Sequence, residues 1–351
     1  VPIKYWLTTA LAGTISLPAQ GSEPQDAQPN FLFILADDLG YKDLGCYGSS
    51  FYETPHLDEL AEEGMKFTQA YAASPVSSPT RSSIMTGKNP ARTDNTDWFG
   101  APQPDNVDNH WTRNKPLLPA AYITHMNPKE VTIAEALKEA GYATFFAGKW
   151  HLGPAEKYWP RQQGFDVNKG GWKKGSPNRS GDARGYFSPS GNPRLKDGPE
   201  GEHLPDRLAE ETVDFIDQHQ EEPFLAFLSF YSVHTPLMAP EKLQEKYRQK
   251  KERLSLQVQW GKEGSRKERL VQCLPVYAAM IEAMDQAVGK VLKQLKTAGL
   301  EDNTVVLFMS DNGGLSTSEG HPTSNVPLRA GKGWLYEGGI REPMIIKWPG
   351  K

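Results

Sequence analysis

An α/β fold built on a doubly wound, mostly parallel sheet flanked by helices is predicted from three features of the chain. Four short apolar runs, rich in Val, Ile and Phe, have the continuous hydrophobicity of strands buried on both faces. Helical patterns alternate with them, as crossover connections between parallel strands require. Each run also ends in a burst of metal-binding or proton-handling residues, at the carboxyl edge where open α/β sheets bind ligands.

The elements follow in order. Asn30 to Ala36 runs into Asp37-Asp38, and Tyr142 to Ala147 into Gly148-Lys149-Trp150-His151. Pro223 to Val233 runs into His234-Thr235-Pro236, and Thr304 to Ser310 into Asp311-Asn312-Gly313. Helices are expected at Pro55 to Glu63, Thr132 to Ala140, Asp206 to His219 and Leu270 to Ala298; Gly64, Gly141 and Gly299 stand where a C-terminal cap is needed. Another helix is expected to begin with Ser78 as cap and Pro79 in the first turn, and to close at Gly87. The charged stretch Arg248 to Arg269 reads as a solvated surface helix and loop. Residues 94–128 and 154–205, rich in Gly, Pro, Asn, Trp and charge, read as substrate-binding insertions beside the site.

Lys4, the apolar stretch Tyr5 to Leu17 and Pro18-Ala19-Gln20 read as a secretory signal peptide over residues 1–19, followed by a polar linker over 20–29. A catalytic domain then fills 30–351. The apolar stretch is too short to span a bilayer, and an exported, periplasmic or secreted protein is expected. The 351 residues carry 39 basic and 43 acidic side chains, a formal net charge of −4, which offers no footprint for nucleic acid. Cys46 and Cys273 cannot make a disulfide framework; one bridge between them is the alternative to the favoured reading, two ordinary half-buried thiols.

Two acidic pairs, Asp37-Asp38 and Asp311-Asn312, form an all-oxygen donor set suited to Ca2+ or Mg2+ rather than zinc. A turn would explain either pair alone; both, each after a strand, point to a metal. Ser77 falls at the positive end of the helix that follows, where backbone N–H groups favour an oxyanion, and Arg81 lies one turn along.

With Ser77-Ser78-Pro79-Thr80-Arg81 and Met85-Thr86-Gly87 the chain resembles the type I sulfatases of the alkaline phosphatase superfamily. Ala36 to Gly40, Thr54 to Asp58, Gly148 to Gly153, His234-Thr235-Pro236, Ser310 to Gly313 and Arg329 to Pro343 match in the same order. The resemblance implies an alkaline-phosphatase-like sulfatase fold, oxidation of Ser77 to formylglycine, and one Ca2+ held by Asp37, Asp38, Asp311, Asn312 and the modified residue 77. It implies that the hydrated aldehyde attacks sulfur and that His234, with Lys332, protonates the leaving oxygen. His151 would remove the proton that releases sulfate, while Arg81 and Lys149 stabilise charge.

Serine at position 77 implies a radical-type maturase and a bacterial setting, or else an engineered Cys-to-Ser change. Family members usually carry a C-terminal subdomain beyond the point where this chain stops, so that subdomain is expected to be absent. Sulfated carbohydrate or an aryl sulfate is the expected substrate. Trp98, His110, Trp111, Arg113, His125, Trp172, Lys173 and Lys174, with His321 at the rim, are candidate contacts for rings and anionic groups. The segment Arg329 to Pro343 is closest to members acting on galactose or N-acetylgalactosamine sulfates. The competing readings are a phosphate or phosphonate ester hydrolase of the same superfamily, and a non-catalytic sulfated-glycan binder if Ser77 is never oxidised.

Overall fold

The computed structural model of the protein describes residues 28–110 and 117–351. The signal-peptide reading, most of the linker, Trp111 and Arg113 lie outside the described residues. Nine strands occur among them: β1 Asn30–Ala36, β2 Met65–Tyr71, β3 Ala143–Gly148, β4 Val167–Lys169, β5 Phe224–Ser229, β6 Trp260–Glu263, β7 Arg266–Arg269, β8 Thr304–Ser310 and β9 Arg341–Lys347. The helices are α1 Pro55–Glu63, α2 Ser77–Thr86, α3 Pro90–Thr93, α4 Ile133–Glu139, α5 Leu204–Gln218, α6 Glu241–Arg253, α7 Pro275–Thr297 and α8 Glu337–Ile340.

Seven strands form one sheet in the order β2-β9-β8-β1-β5-β3-β4. From β8 to β4 all neighbours are parallel; β9 runs antiparallel to both β8 and β2. Alternation along β1 explains the double winding. Leu32, Ile34 and Ala36 join a core with α1, α5, α6 and α7, while Leu35 faces a second core with Met85 of α2, Ala134 of α4, Phe146 and Trp150. Every residue of β5 is buried, as expected for a strand covered on both sides.

Several boundaries differ from expectation. The run Pro223 to Val233 is a strand only to Ser229; beyond it Asp37 N–H donates to Ser232 O at 2.8 Å, and Val233 N–H donates to Asp37 O at 2.6 Å, so the chain turns across the end of β1. Helix α2 begins at Ser77 itself, with Val76 in the capping position and no side-chain cap; Ser78 is inside the helix, where its hydroxyl accepts from Phe99 N–H at 3.1 Å. Helix α7 begins at Pro275, not Leu270, and the second half of the charged stretch is the β6–β7 hairpin rather than a loop. Both cysteines are free thiols. Among the described residues no helix is long and apolar enough to cross a membrane.

Candidate active site

The carboxyl ends of β1, β3 and β8, the turn after β5 and the N-terminus of α2 meet at one point. Asp37, Asp38 and Asp311 are wholly buried and present carboxylate oxygens within 4.8 Å of one another. Ser77 Oγ lies 3.2 Å from Asp37 Oδ1 and 3.3 Å from Asn312 Oδ1. Asn312 turns its amide nitrogen to Asp38 Oδ1 at 2.8 Å. Asp38 has a left-handed backbone, φ 60°, the kind of unfavourable conformation that surrounding contacts must hold in place.

Three cations face these carboxylates. Lys149 Nζ is 2.6 Å from Asp37 Oδ2 and 3.1 Å from Ser77 Oγ. Arg81 Nε donates to Asp311 Oδ2 at 2.7 Å, and its Nη1 donates to Lys149 O and Ser229 Oγ. Lys332 Nζ donates to Asp38 Oδ2 at 2.8 Å. Gly148 permits the close turn into Lys149: its φ is +99°, and a Cβ there would stand 1.8 Å from Ser229 O.

Burial and neighbouring charge set the titration of these groups. Burial, with Asp311 and Asp38 close by, pushes the Asp37 carboxyl well up despite Lys149; burial likewise pulls the Lys149 ammonium down. Burial would raise Asp38 and Asp311 too, but Lys332 and His234 hold the first below the ordinary range, and Arg81 and Lys149 the second. Lys332 stays cationic because Asp38 and Glu319 outweigh its burial. Burial and Lys332 bring His234 down to about 4, and burial with Lys149 places His151 well below its usual value. Both imidazoles are therefore neutral at neutral pH.

The donor set fits a hard divalent cation. Three buried carboxylates, an amide oxygen and a hydroxyl are oxygen ligands of the calcium type. Three side-chain cations already offset the three buried carboxylates, so a divalent ion would leave the centre net positive and ready for an oxyanion.

His234 Nε2 stands 3.7 Å from Asp38 Oδ2. Tyr186, from the second long insertion, reaches the same turn: its hydroxyl is 2.6 Å from Tyr231 O and 2.8 Å from His234 O. His151 lies beside the start of α2, Nδ1 3.4 Å from Ser78 Oγ, with φ 58° and its backbone N–H donating to Trp172 O at 3.2 Å. The loop after Trp172 presses on it so closely that a Cβ at Gly175 would stand 2.5 Å from the ring.

The proposed rim residues make contacts of their own. Trp98 meets His110 edge-on, His125 packs against Tyr158 at 4.3 Å, and His321 meets Trp260 of the hairpin. Trp172 is buried, Lys173 exposed and Lys174 partly exposed. Sequence reasoning passed over Glu319, whose carboxylate is 3.2 Å from Lys332 Nζ, and over Tyr186; neither belongs to a motif, and only the folded loops bring them in.

Comparison with known proteins identifies the family. A curated "Sulfatase" of Formosa agariphila is 31% identical over 99% of this chain and 68% of its own length. The N-acetylgalactosamine-6-sulfatase of Canis lupus familiaris is 32% identical over 99% of this chain, which spans 61% of that relative. Among solved structures, Ps i-CgsB in complex with k-i-k-neocarrahexaose superposes with a TM-score of 0.69 at 31% identity, covering 92% of this chain and 66% of that one. The Sulfatase family model matches residues 29–351, and the chain belongs to that family.

Proposed function

We propose that this chain is the catalytic part of a sulfate-ester hydrolase acting on sulfated carbohydrate, with Ser77 converted to formylglycine and one Ca2+ held by Asp37, Asp38, Asp311 and Asn312. The observation that carries the reading is the Ser77 hydroxyl, at a helix N-terminus and in reach of Asp37, Asn312 and Lys149 at once. The carbohydrate assignment rests on likeness to a relative named for N-acetylgalactosamine 6-sulfate and to a structure holding a neocarrahexaose.

A bound Ca2+ would supply Lewis-acid polarisation of a sulfate oxygen. The N-terminus of α2, with Arg81 and Lys149 behind it, would orient the sulfate group and offset developing charge without reorganising. His234 and the cationic Lys332 would face the leaving oxygen. The negative charge of a bound sulfate ester favours protonation of His234, which then gives its proton to that oxygen. His151, kept neutral, would serve as the base on the other side of residue 77. Conversion of serine calls for a maturase of the radical type, and the chain would act outside the cytoplasm.

Mass spectrometry of the peptide containing Ser77, after co-expression with a serine-type maturase, should show a loss of about two mass units, the two hydrogens removed by a two-electron oxidation. The same protein should hydrolyse 4-nitrophenyl sulfate faster than 4-nitrophenyl phosphate. An unconverted Ser77 with no sulfate turnover, or a preference for the phosphate ester, would end this reading.

A further inference from the structure

We propose that Glu319 determines specificity, accepting a hydrogen bond from a sugar hydroxyl beside the scissile sulfate and excluding a second anionic group from that position. The proposal rests on the sulfate-ester reading above and adds to it a distinction between singly and doubly sulfated sugars.

Position is the first support. A Glu319 carboxylate oxygen lies within 4.8 Å of both an Asp38 carboxylate oxygen and a ring nitrogen of His234. Side-chain exposure rises from 0% at Asp38 through 16% at His234 to 39% at Glu319. Glu319 therefore stands between the buried reacting centre and solvent, where the ring carrying the sulfate must sit.

Orientation is the second. Lys332 Nζ is 3.2 Å from Oε1, and the Thr235 hydroxyl donates to Oε2 at 3.1 Å. The backbone of Glu319 is left-handed, φ 48°, a conformation a glutamate adopts only where its surroundings impose it. A carboxylate has about four acceptor positions, so both oxygens keep capacity for a further donor.

Chemistry is the third. An ionised carboxylate only accepts, so an alcohol donates to it while a sulfate or carboxylate in the same place is repelled. Lys332 offsets a single negative charge at the centre and is shared with Asp38, which among the described residues leaves no further cation paired with Glu319 to receive a second sulfate. Rejection by a built-in repulsive group is a common source of specificity.

The test is calorimetric binding, in Ca2+-containing buffer, of N-acetylgalactosamine 6-sulfate and of the 4,6-disulfate to wild-type protein and to Glu319→Gln, with Glu319→Asp as a second variant. Wild-type protein should bind the monosulfate about tenfold or more tightly than the disulfate. Glu319→Gln should bring that ratio toward one, and Glu319→Asp should fall between. Equal wild-type affinities, no binding of either sugar, or a ratio that survives Glu319→Gln overturns the proposal. Failure of the sulfatase reading would appear separately, as absent turnover of 4-nitrophenyl sulfate by protein with converted Ser77.

Discussion

Lys149 and Asp37 form an ion pair sealed from solvent: the ammonium nitrogen lies 2.7 and 2.6 Å from the two carboxylate oxygens, with the side chains 1% and 0% exposed. Removing one partner of such a pair leaves a buried charge without compensation, at about 3–5 kcal/mol. Lys149→Met is expected to lower the thermal midpoint in chelator and to reduce turnover about 100-fold or more. An unchanged melt would mean that Asp37 is already neutral and the pair carries no charge.

Removal of divalent cation should act in the same direction. An ion held by the three converging carboxylates of the native state, and not by the unfolded chain, stabilises the fold by mass action. Chelation is expected to lower the melting temperature, and Ca2+ at about 100 times its dissociation constant should restore about 2.7 kcal/mol. A melt indifferent to chelator and to added Ca2+ would sink the metal site.

Arg81→Lys keeps the charge and loses the fork. The guanidinium reaches Asp311, Lys149 O and Ser229 in three directions that one ammonium cannot reproduce. Turnover of 4-nitrophenyl sulfate should fall about 100-fold. Retention of most activity in the lysine variant would show that charge alone suffices.

Asp285 allows a test away from the site. Its carboxylate accepts from the N–H groups of His56 and Leu57, at 3.2 and 2.9 Å, and so caps the start of α1. Burial raises its pKa to about 7, above the unfolded value. The native state therefore binds an extra proton between about pH 4 and pH 7; this contribution to stability is complete at the acidic end and is lost as pH rises through about 7. Asp285→Asn cannot ionise and keeps one of the two acceptor oxygens, enough for the shorter bond from Leu57 N–H. At pH 8 it should melt about 2 °C or more above wild type, and the gap should narrow as pH falls and close by about pH 4. A variant less stable than wild type at pH 8 would refute the assignment.

The parts legible in the sequence were those with strong local signals. Continuous apolar runs marked β1, β3, β5 and β8, because strands covered on both faces need no polar alternation. The missed strands carry the opposite signal. Nearly every residue of β2 is exposed or half-exposed, and the β6–β7 hairpin is mostly charged, so pairing rather than burial defines them. The antiparallel strand β9 begins inside the segment Arg329 to Pro343, where matching residues rather than an apolar run drew the reading, and its Glu342 is buried. Helix α2 began a residue before its apparent cap, because the Ser78 hydroxyl accepts from Phe99 rather than from its own helix. Glu319 and Tyr186 reach the centre from loops whose course no local pattern encodes.

The contact between Gly175 and the His151 ring bears on any effort to redirect this protein toward other ligands. Residues 172–177 look like an open field for randomisation, since loops tolerate change better than the elements they join. Position 175 is the exception: even a methyl group there would drive into the imidazole, so a library that varies it would discard good binders for a mechanical fault. Recoding the loop while sparing that one glycine leaves the imidazole where it stands and the neighbouring side chains free to vary.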